Sequence, residues 1–488
     1  MIKHTTPPLY KIAGGPEVPR IITGLWQVAD MEREGILPDF EAKALAMKAY
    51  ADRGFSTFDM ADHYGSAEEI TGVYRANHQQ ESPIQAFTKW VPEPGKMTRK
   101  NVRKAIDLSL KKLQTEQIDL LQFHAWQYAD PAWLDALGYL QELKMEGLIR
   151  HLGVTNFDAA HLQMALSCGI EISTNQVSYS LLDRRASGAM SELCDASGVR
   201  LLAFGTLAGG FLSDKWLGKP EPDMTEDLTW SQMKYKRFID TAGGWDRFQN
   251  LLSTLNDMAQ AKNLSIANMA SRFILEQPAV AALIIGARLG ERDHSADNLK
   301  LFSFEFSEDE QAKLQEVLGT FESIPGDCGD EYRKPPFLTA AGNLSHHFEG
   351  FRAPYPTETG TDGRTKALSG TVWEDIAGFS RAVRKGNRIA ISGTTATHGD
   401  QVIGDGDPGI QTQFIIDKIE GALLSLGGSL EDVIRTRIFI RNIDDWEPVS
   451  RAHGQRFKGI QPANTLVQAA LVGDEYLVEI EADAIVHD

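Results

Sequence analysis

Four polar side chains stand at or just after the ends of apolar, strand-like runs, and their types suit proton transfer. Asp59, Lys89 and His124 each end such a run, and Tyr64 follows Asp59 by five residues. An ammonium beside a phenol favours the tyrosinate form, so we expect Lys89 to lower the pKa of Tyr64. We expect Asp59 to keep Lys89 charged and His124 to hold a carbonyl oxygen. Together they predict a site that protonates an alkoxide as it forms.

The runs that carry these residues belong to a longer pattern. From about residue 20 to residue 290, short β-type runs alternate with longer amphipathic helical segments. Eight alternations indicate a parallel sheet and favour a closed (β/α)8 barrel, of the TIM type, over an open sheet. The predicted strands are Ile21–Trp26, Ser56–Asp59, Ile84–Lys89, Leu120–His124, Leu152–Thr155, Ser173–Gln176, Leu201–Phe204 and Ala282–Ile285.

Active sites of such barrels lie at the carboxyl ends of the strands. Asp59, Lys89 and His124 fall there on strands two to four, and polar or aromatic residues end strands five to eight: Thr155-Asn156, Gln176, Phe204 and Gly286-Ala287-Arg288. Before strand one, Leu9–Ile12 and Pro19–Ile21 predict a hairpin that plugs the barrel bottom. The ordered set of strand ends predicts one site at the barrel mouth.

Two interruptions divide the rest of the chain. Ser213–Gly244 is expected to be a mobile loop over the barrel mouth. Gly326–Arg364 is rich in Gly, Pro, Thr and His, and it predicts a linker in which His346-His347 is a solvated pair. The chain is therefore divided into a barrel over residues 1–325, a linker over 326–364 and a second domain over 365–488.

The second domain has the pattern of a small α+β unit. Ser380–Lys385 and Arg388–Ser392 flank a turn at Gly386-Asn387, which indicates a hairpin. A helix is predicted from about Ile410 to Leu426 and another over Asp444–Phe457. The remaining predicted strands are Ile434–Ile440, Thr465–Ala469 and Tyr476–Val486.

Composition excludes several classes of function. The 488 residues exceed one ordinary core, and the net charge of −18 disfavours binding to nucleic acid. No apolar stretch approaches the length of a membrane span, and the N-terminal residues contain no apolar signal core. Three cysteines without metal-type spacing indicate reduced thiols in a cytoplasmic protein. His63 and His124 have no third ligand at metal spacing, so no metal is expected.

The barrel segment resembles the aldo-keto reductase family over roughly residues 8–320. The resemblance rests on Phe58-Asp59-Met-Ala-Asp-His-Tyr64-Gly, Thr88-Lys89, Phe123-His124, Gly153-Val-Thr-Asn-Phe157, Asn175-Gln176 and Gly286-Ala-Arg288…Asp297-Asn298. It implies that Tyr64 is the general acid/base, that Lys89 and Asp59 tune it, and that His124 orients the substrate carbonyl. It also implies that Trp26 lines the substrate pocket, and Trp126 is expected there because it follows His124 by two residues.

The same resemblance implies a nicotinamide cofactor. Three residues would bind the nicotinamide carboxamide and an aromatic ring would stack on the nicotinamide: Thr155, Asn156, Gln176 and Phe204. Arg288 would meet the 2′-phosphate, which favours NADP (NADPH) over NAD, with Asp297 and Asn298 near the adenine. The loop around Ala208-Gly209-Gly210 lacks the arginine common in the family.

The second domain resembles the Rid family, also called YjgF or endoribonuclease L-PSP, over residues 370–487. The matching pieces are Ala390-Ile-Ser392-Gly393, Gly427-Gly-Ser-Leu-Glu-Asp-Val433, Thr436-Arg-Ile-Phe-Ile440, Pro462-Ala463 and Val478-Glu479-Ile480-Glu481-Ala482. The resemblance implies a chorismate-mutase-like fold that forms trimers, with clefts between subunits. Ser392, Asn464 and Glu479 are the expected cleft residues. Deaminating members carry an Arg where this chain has Asn464, so a binding or assembly role is favoured over catalysis.

Three functions remain open from the sequence. The first is an NADP-dependent carbonyl reductase or alcohol dehydrogenase, whose substrate is left open among sugars, aldehydes, pyridoxal and ketosteroids. The second is a bifunctional enzyme whose second domain hydrolyses an imine or enamine. The third is a non-catalytic, cofactor-sensing subunit.

Overall fold

The computed structural model describes residues 4–32, 35, 37–225 and 227–487. Its first elements are an antiparallel hairpin of β1 (Leu9–Lys11) and β2 (Glu17–Pro19). Ile12 and Val18 from this hairpin are fully buried in a cluster with barrel side chains that include Phe87, Leu120 and Leu202. The hairpin plugs the end of the barrel opposite the predicted site, as the sequence indicates.

A closed barrel of eight parallel strands follows. The strands are β3 (Ile21–Gly24), β4 (Thr57–Asp59), β5 (Gln85–Trp90), β6 (Ile118–Phe123), β7 (Ile149–Thr155), β8 (Ile172–Ser178), β9 (Arg200–Phe204) and β10 (Val280–Gly286). All eight predicted strands are present, so the predicted barrel is confirmed. Trp26, predicted at the end of strand one, instead begins a helix.

Helices surround the barrel. They are α1 (Trp26–Met31), α2 (Phe40–Ala51), α3 (Ala67–His78), α4 (Arg99–Lys112), α5 (Ala132–Met145), α6 (Ala159–Ser167), α7 (Ala189–Ser197), α8 (Trp230–Thr241), α9 (Trp245–Lys262), α10 (Ile266–Leu275), α11 (Ser295–Asn298) and α12 (Glu308–Leu318). No helix in the described part of the chain is both long and apolar enough to cross a lipid bilayer.

Helix α8 corrects the prediction that Ser213–Gly244 is a loop. Thr229 and Gln232 form a capping box at its N-terminus, and Tyr235, Phe238 and Ile239 are buried at helical spacing. The capping residues and this apolar face stabilise a helix where the sequence had suggested only loop composition.

The chain between the two domains is also more ordered than predicted. We call residues 326–356 the interdomain segment. It contains the short helix α13 (Asp330–Arg333), in which Glu331 and Arg333 are buried. Arg185 of the barrel forms ion pairs of 2.8 Å with both Glu331 and Asp183. These contacts fix the segment to the barrel surface.

The second domain is built on one seven-stranded sheet with order β11-β12-β13-β14-β19-β17-β18. Its elements are β11 (Thr357–Thr359), β12 (Arg364–Ala367), α14 (Val372–Ala377), β13 (Ala382–Lys385), β14 (Arg388–Thr395), β15 (Thr397–His398), β16 (Gln401–Val402), α15 (Pro408–Ser425), β17 (Val433–Ile440), α16 (Trp446–Phe457), β18 (Ala463–Gln468) and β19 (Val478–Ile485). The predicted hairpin, helices and strands are all found. The sheet begins at Thr357, within the stretch predicted to be linker.

The two domains are joined by a buried ionic cluster. His161 of α6 lies between two carboxylates, with Nδ1 2.7 Å from Asp158 and Nε2 2.9 Å from Asp417 of α15. Arg456 donates to the same Asp417. Burial opposes the charged ring, but the two carboxylates prevail and raise the pKa of His161 to about 9. The imidazolium therefore ties the barrel to the second domain at neutral pH.

Candidate active site

The centre of the barrel mouth is a buried ion pair. Lys89 Nζ donates to Asp59 Oδ2 at 2.6 Å and to the Met60 carbonyl at 2.9 Å. The other oxygen of Asp59 accepts from Gln122 at 3.1 Å and from Gln176 at 2.7 Å. The carboxylate thus has a partner for each oxygen, as a buried charge requires. Gln122 was missed by sequence analysis, although a glutamine inside an apolar strand was the available signal.

Tyr64 lies beside this pair, with Lys89 Nζ 4.8 Å from the centre of its ring. Burial of the phenol, together with the nearby charge of Asp59, raises the pKa of Tyr64 well above its ordinary value. The expected lowering by Lys89 is therefore not found, because burial, the largest cause, and the negative charge of Asp59 both favour the protonated phenol. A phenol in this setting keeps its proton at neutral pH.

His124 is also buried at the mouth, and its Nδ1 lies 3.3 Å from the Thr155 carbonyl oxygen. Burial, with Arg333 nearby, lowers the pKa of His124 well below its ordinary value. The ring is therefore neutral. Its Nε2 is buried and has no hydrogen-bond partner among the described residues.

Tryptophans wall the mouth. Trp26 meets the Tyr64 ring edge-on at 4.9 Å, and Trp126 meets the His124 ring edge-on at 4.4 Å. Trp230, at the start of α8, lies 6.0 Å from Trp26. Both tryptophans predicted from the sequence therefore adjoin the four residues that we call the tetrad, namely Asp59, Tyr64, Lys89 and His124, and Trp230 of α8 extends the wall.

The interdomain segment completes this wall. The ring centre of His347 lies 4.8 Å from that of Trp126 and 6.4 Å from that of His63. The ring centre of Phe348 lies 5.0 Å from that of Trp126. His346 is exposed but also contacts an aromatic ring, that of Trp230, at 5.5 Å. The expectation of a solvated histidine pair is wrong for His347, because packing against the rings at the barrel mouth leaves its side chain only partly exposed. Burial lowers its pKa to about 4.

Arg333 anchors the segment to the loops that carry the site. Its guanidinium donates to the Ala125 carbonyl at 2.6 Å and to the Asn156 carbonyl at 2.8 Å. It also lies 4.3 Å from the centre of the Tyr128 ring. No pattern in the sequence pointed to Arg333, because its partners are backbone oxygens remote in the chain.

Of the three residues predicted to bind the nicotinamide carboxamide, Thr155 and Gln176 use their side-chain donors within the protein, whereas Asn156 has an unpaired acceptor. Thr155 donates to the Gln176 carbonyl at 3.0 Å, and the Gln176 amide donates to Asp59 and Gln122. Asn156 has a left-handed backbone, with φ of 58°, and its buried Oδ1 has no partner among the described residues. An acceptor left unpaired in this way fits the amide group of a nicotinamide.

The remaining cofactor candidates lie around the same end of the barrel or just after β10. Phe204 ends β9, and Lys234 of α8 lies 5.1 Å from the centre of its ring while donating to the Tyr332 hydroxyl at 2.6 Å. Arg288 follows β10, is partly exposed and lies 3.4 Å from Glu291. Asp297 and Asn298 end α11, where Asp297 packs against Asn268. An unpaired amide oxygen and an aromatic ring at this end of the barrel fit a nicotinamide cofactor.

The expected cleft residues of the second domain fall into two separate groups within one chain, Ser392 with Glu479 and Asn464 apart from them. Glu479 packs on the backbone of Gly393, next to Ser392, and any side chain at Gly393 would overlap its carboxylate. Burial raises the pKa of Glu479. Asn464 donates to Thr436 at 2.9 Å. The strand register puts Asn464 two strands away from Glu479 and three residues further along, about 10 Å in each direction.

Within the described residues, no group of three or more His, Cys, Asp or Glu side chains is arranged to hold a metal ion.

Comparisons with known proteins agree with both halves of the fold. The profile of the Aldo/keto reductase family matches residues 20–318, and that of Endoribonuclease L-PSP matches residues 372–486. Protein tas of Escherichia coli (strain K12) is 30% identical over 318 residues, which are 57% of this chain and 89% of that protein. The uncharacterized protein SCO2049 of Streptomyces coelicolor is 38% identical over 120 residues, 24% of this chain and 90% of that protein.

Among solved structures, the glycerol dehydrogenase of Gluconobacter oxydans superposes with a TM-score of 0.54. It is 21% identical and covers 65% of this chain and 97% of its own. At this identity the likeness concerns the fold alone.

Proposed function

The chain belongs to the Aldo/keto reductase family and carries a second, Endoribonuclease L-PSP-type domain, and we propose that its barrel reduces a carbonyl compound with NADPH. The observation that carries the proposal is the buried pair of Lys89 and Asp59 beside the protonated phenol of Tyr64. A partly buried acid beside a buried positive charge suits delivery of one proton to an oxygen that gains negative charge.

The chain's own residues would handle the proton. When bound, the cofactor supplies a hydride to the carbonyl carbon. Tyr64 gives its proton to the carbonyl oxygen, and the resulting tyrosinate lies beside the Lys89 ammonium, which stabilises it. Asp59 holds that ammonium in place through its 2.6 Å contact. The tryptophans beside Tyr64 and His124 would help to shield the reacting atoms from water.

The proposed preference for NADP over NAD rests on one positively charged side chain, that of Arg288. Asn156 Oδ1 would accept from the carboxamide and Phe204 would stack on the nicotinamide ring, as in the resemblance. Arg288 is the residue offered to a 2′-phosphate, which only NADP carries. A change of Arg288→Leu is expected to raise the KM for NADPH while leaving that for NADH nearly unchanged.

The proposal is tested by a turnover screen with NADPH and NADP across aldehydes, ketones, sugars and alcohols. Replacement of Tyr64 by Phe removes the acidic hydroxyl alone and is expected to lower turnover by at least about 100-fold. Cofactor affinity, measured by fluorescence titration, should stay the same. Tight NADPH binding without turnover of any carbonyl would instead support the cofactor-sensing alternative.

For the second domain we propose a role in assembly, as a trimer. The separation of Asn464 from Glu479 within one chain supports a cleft that needs another copy. Large apolar side chains on α14 are more than half exposed, namely Val372, Trp373 and Ile376. Light scattering should show a trimer, and a monomer would contradict the proposal. Release of ammonia from a test imine, lost in Glu479→Gln, would favour the bifunctional alternative.

We also propose a cytoplasmic location. All three cysteines are free, and two of them are buried. Unpaired thiols are typical of a reducing compartment.

A further inference from the structure

Asn156, whose unpaired Oδ1 is offered to the nicotinamide amide, has an uncommon backbone conformation. Its φ of 58° lies in the left-handed region, which residues other than glycine keep only when their surroundings hold them there. On the barrel side, the backbone amide of Asn156 donates to the Gln176 carbonyl at 2.8 Å. This bond fixes one side of the residue, and the other side is fixed by chain that lies outside the barrel strands.

The interdomain segment holds that other side. Arg333 Nη1 donates to the Asn156 carbonyl at 2.8 Å. Gly329 lies so close to the same carbonyl that a Cβ at Gly329 would stand 2.1 Å from its oxygen and 2.9 Å from the Cβ of Asn156. A hydrogen-bond donor and a close backbone contact on one peptide group restrict its rotation. The direction of the Asn156 side chain therefore depends on residues 329–333.

The ionic cluster between the domains supports Arg333 through one aromatic ring. The central carbon of the Arg333 guanidinium lies 4.3 Å from the centre of the Tyr128 ring. Tyr128 stacks on His161, with ring centres 3.4 Å apart and planes 6° apart. His161 is held in turn by Asp417 of the second domain, 2.9 Å from its Nε2. All four side chains are buried and in contact, so a change at Asp417 is passed on to the ring against which Arg333 packs.

A second connection runs through the start of α6. His161 Nδ1 lies 2.7 Å from Asp158, which also accepts from the His161 backbone amide and so caps this helix. Asp158 follows Asn156 by two residues in the chain. The cluster therefore reaches Asn156 both through Arg333 and through the chain that leads into α6.

We propose that Asp417 of the second domain is a positioning residue for the cofactor of the barrel, and that through His161 it keeps Asn156 turned towards the nicotinamide carboxamide. The inference rests on the proposed function and deepens it, because it gives the second domain a part in cofactor binding as well as in assembly. Asn156 is assigned to the nicotinamide end of the cofactor alone. Binding of the adenine and phosphate end should therefore not depend on Asp417.

The experiment measures the binding of two ligands to the full chain by isothermal titration calorimetry. NADPH carries the nicotinamide, and 2′-phospho-ADP-ribose is the corresponding fragment without it. Asp417→Asn should raise the Kd for NADPH about fivefold and leave the Kd for the fragment within about twofold of the wild-type value. Glu447→Gln, in an exposed pair with Arg451, is the control and should change neither.

A change at the contact with Asn156 should have a larger effect. Gly329→Ala introduces the Cβ that overlaps the Asn156 carbonyl, and it should raise the Kd for NADPH at least about tenfold without changing that for the fragment. Gly363→Ala is the matched control. Gly363 is also left-handed, with φ of 74°, but nothing lies within 4 Å of the place where its Cβ would stand. This variant should bind both ligands as the wild type does.

The outcomes separate this inference from the proposed function. If Asp417→Asn or Gly329→Ala binds NADPH as tightly as the wild type, or loses affinity for both ligands equally, the inference is overturned even where the wild type reduces carbonyls. If the expected differences are found but no carbonyl is reduced, the inference stands and the reductase proposal falls. If the wild type binds no NADPH, both fall, because there is no nicotinamide to position.

Discussion

In the barrel, Lys89 Nζ lies 2.6 Å from Asp59 Oδ2. On the sheet of the second domain, Arg437 Nη1 also lies 2.6 Å from Glu481 Oε1. The side chains of the first pair are 3% and 4% exposed, whereas those of the second are 37% and 35% exposed. In the buried pair, loss of one partner leaves a charge that is neither paired nor in water, which is strongly destabilising. In the exposed pair, water solvates the charge that remains, so the same loss costs little. Equal distances therefore describe unequal interactions.

The same contrast holds for the two groups of candidate site residues. In the barrel, side chains from several strands reach one point, and Asp59 alone contacts Lys89, Gln122 and Gln176. In the second domain, Glu479 and Asn464 stay on different strands. One chain therefore brings the first group together, while the second group needs a neighbouring chain, as in the proposed trimer.

The largest expected effect is on the buried pair. Lys89→Met leaves Asp59 charged and unpaired, which should lower the free energy of unfolding by about 3–5 kcal/mol and turnover by at least about 100-fold. Arg437→Met, the matched change in the second domain, should cost about 1 kcal/mol or less. Calorimetry and NADPH oxidation measure both. Similar losses in the two variants would contradict the stated difference between the buried and the exposed pair.

A smaller effect is expected where the two domains meet. Asp417→Asn removes the carboxylate shared by His161 and Arg456, and should weaken docking by about 3 kcal/mol. Glu447→Gln, in an exposed pair with Arg451, is the control and should have little effect. Limited proteolysis of the interdomain segment reports docking. Equal cleavage rates in Asp417→Asn and the wild type would contradict the role of the cluster.

The cluster also predicts a pH dependence. The pKa of His161 is raised from its ordinary value near 6.5 to about 9 in the folded protein. Its contribution to stability is therefore complete below pH of about 6.5 and is lost as the pH rises through about 9. Wild-type protein should become more sensitive to proteolysis above that pH. Chemical shifts of the His161 ring that titrate near the ordinary value would exclude this.

The smallest effect is expected at His347, whose folded-state pKa of about 4 lies below its ordinary value. The unfolded or undocked ring binds a proton more readily, so the packed mouth loses stability as the pH falls from about 6.5 towards 4. The KM for a carbonyl substrate should rise severalfold over that range. His347→Gln should remove most of this dependence, whereas His346→Gln should retain it. The same KM profile in all three proteins would show that His347 plays no part.

What could be predicted from the sequence follows the strength of local patterns. The barrel strands are apolar runs with polar ends, so both the fold and the places of Asp59, Lys89 and His124 were visible. The interdomain segment has no such period, and its order comes from contacts with remote backbone oxygens and rings. Gln176 shows an intermediate case, because its position was predicted but its amide proved to bind Asp59.

The pKa of Tyr64 could not be predicted for a related reason. The sequence places a lysine nearby, and a lysine alone would favour the tyrosinate. The outcome depends on how far Asp59 offsets that charge and how completely the phenol is shielded, and both are properties of the packed barrel. The residue types identify the groups that act on Tyr64, but only their packing decides whether its pKa rises or falls.

The packing of the interdomain segment limits where the barrel can be separated from the second domain. By sequence, residue 325 looks like a natural point at which to detach the reductase from its appendage. By structure, such a cut removes Arg333, which binds the carbonyls of Ala125 and Asn156, and His347, which covers Trp126. The joint is thus part of the enzyme. A barrel produced without the interdomain segment would keep the tetrad but lack part of the wall around it. The two domains therefore cannot be exchanged independently of this segment.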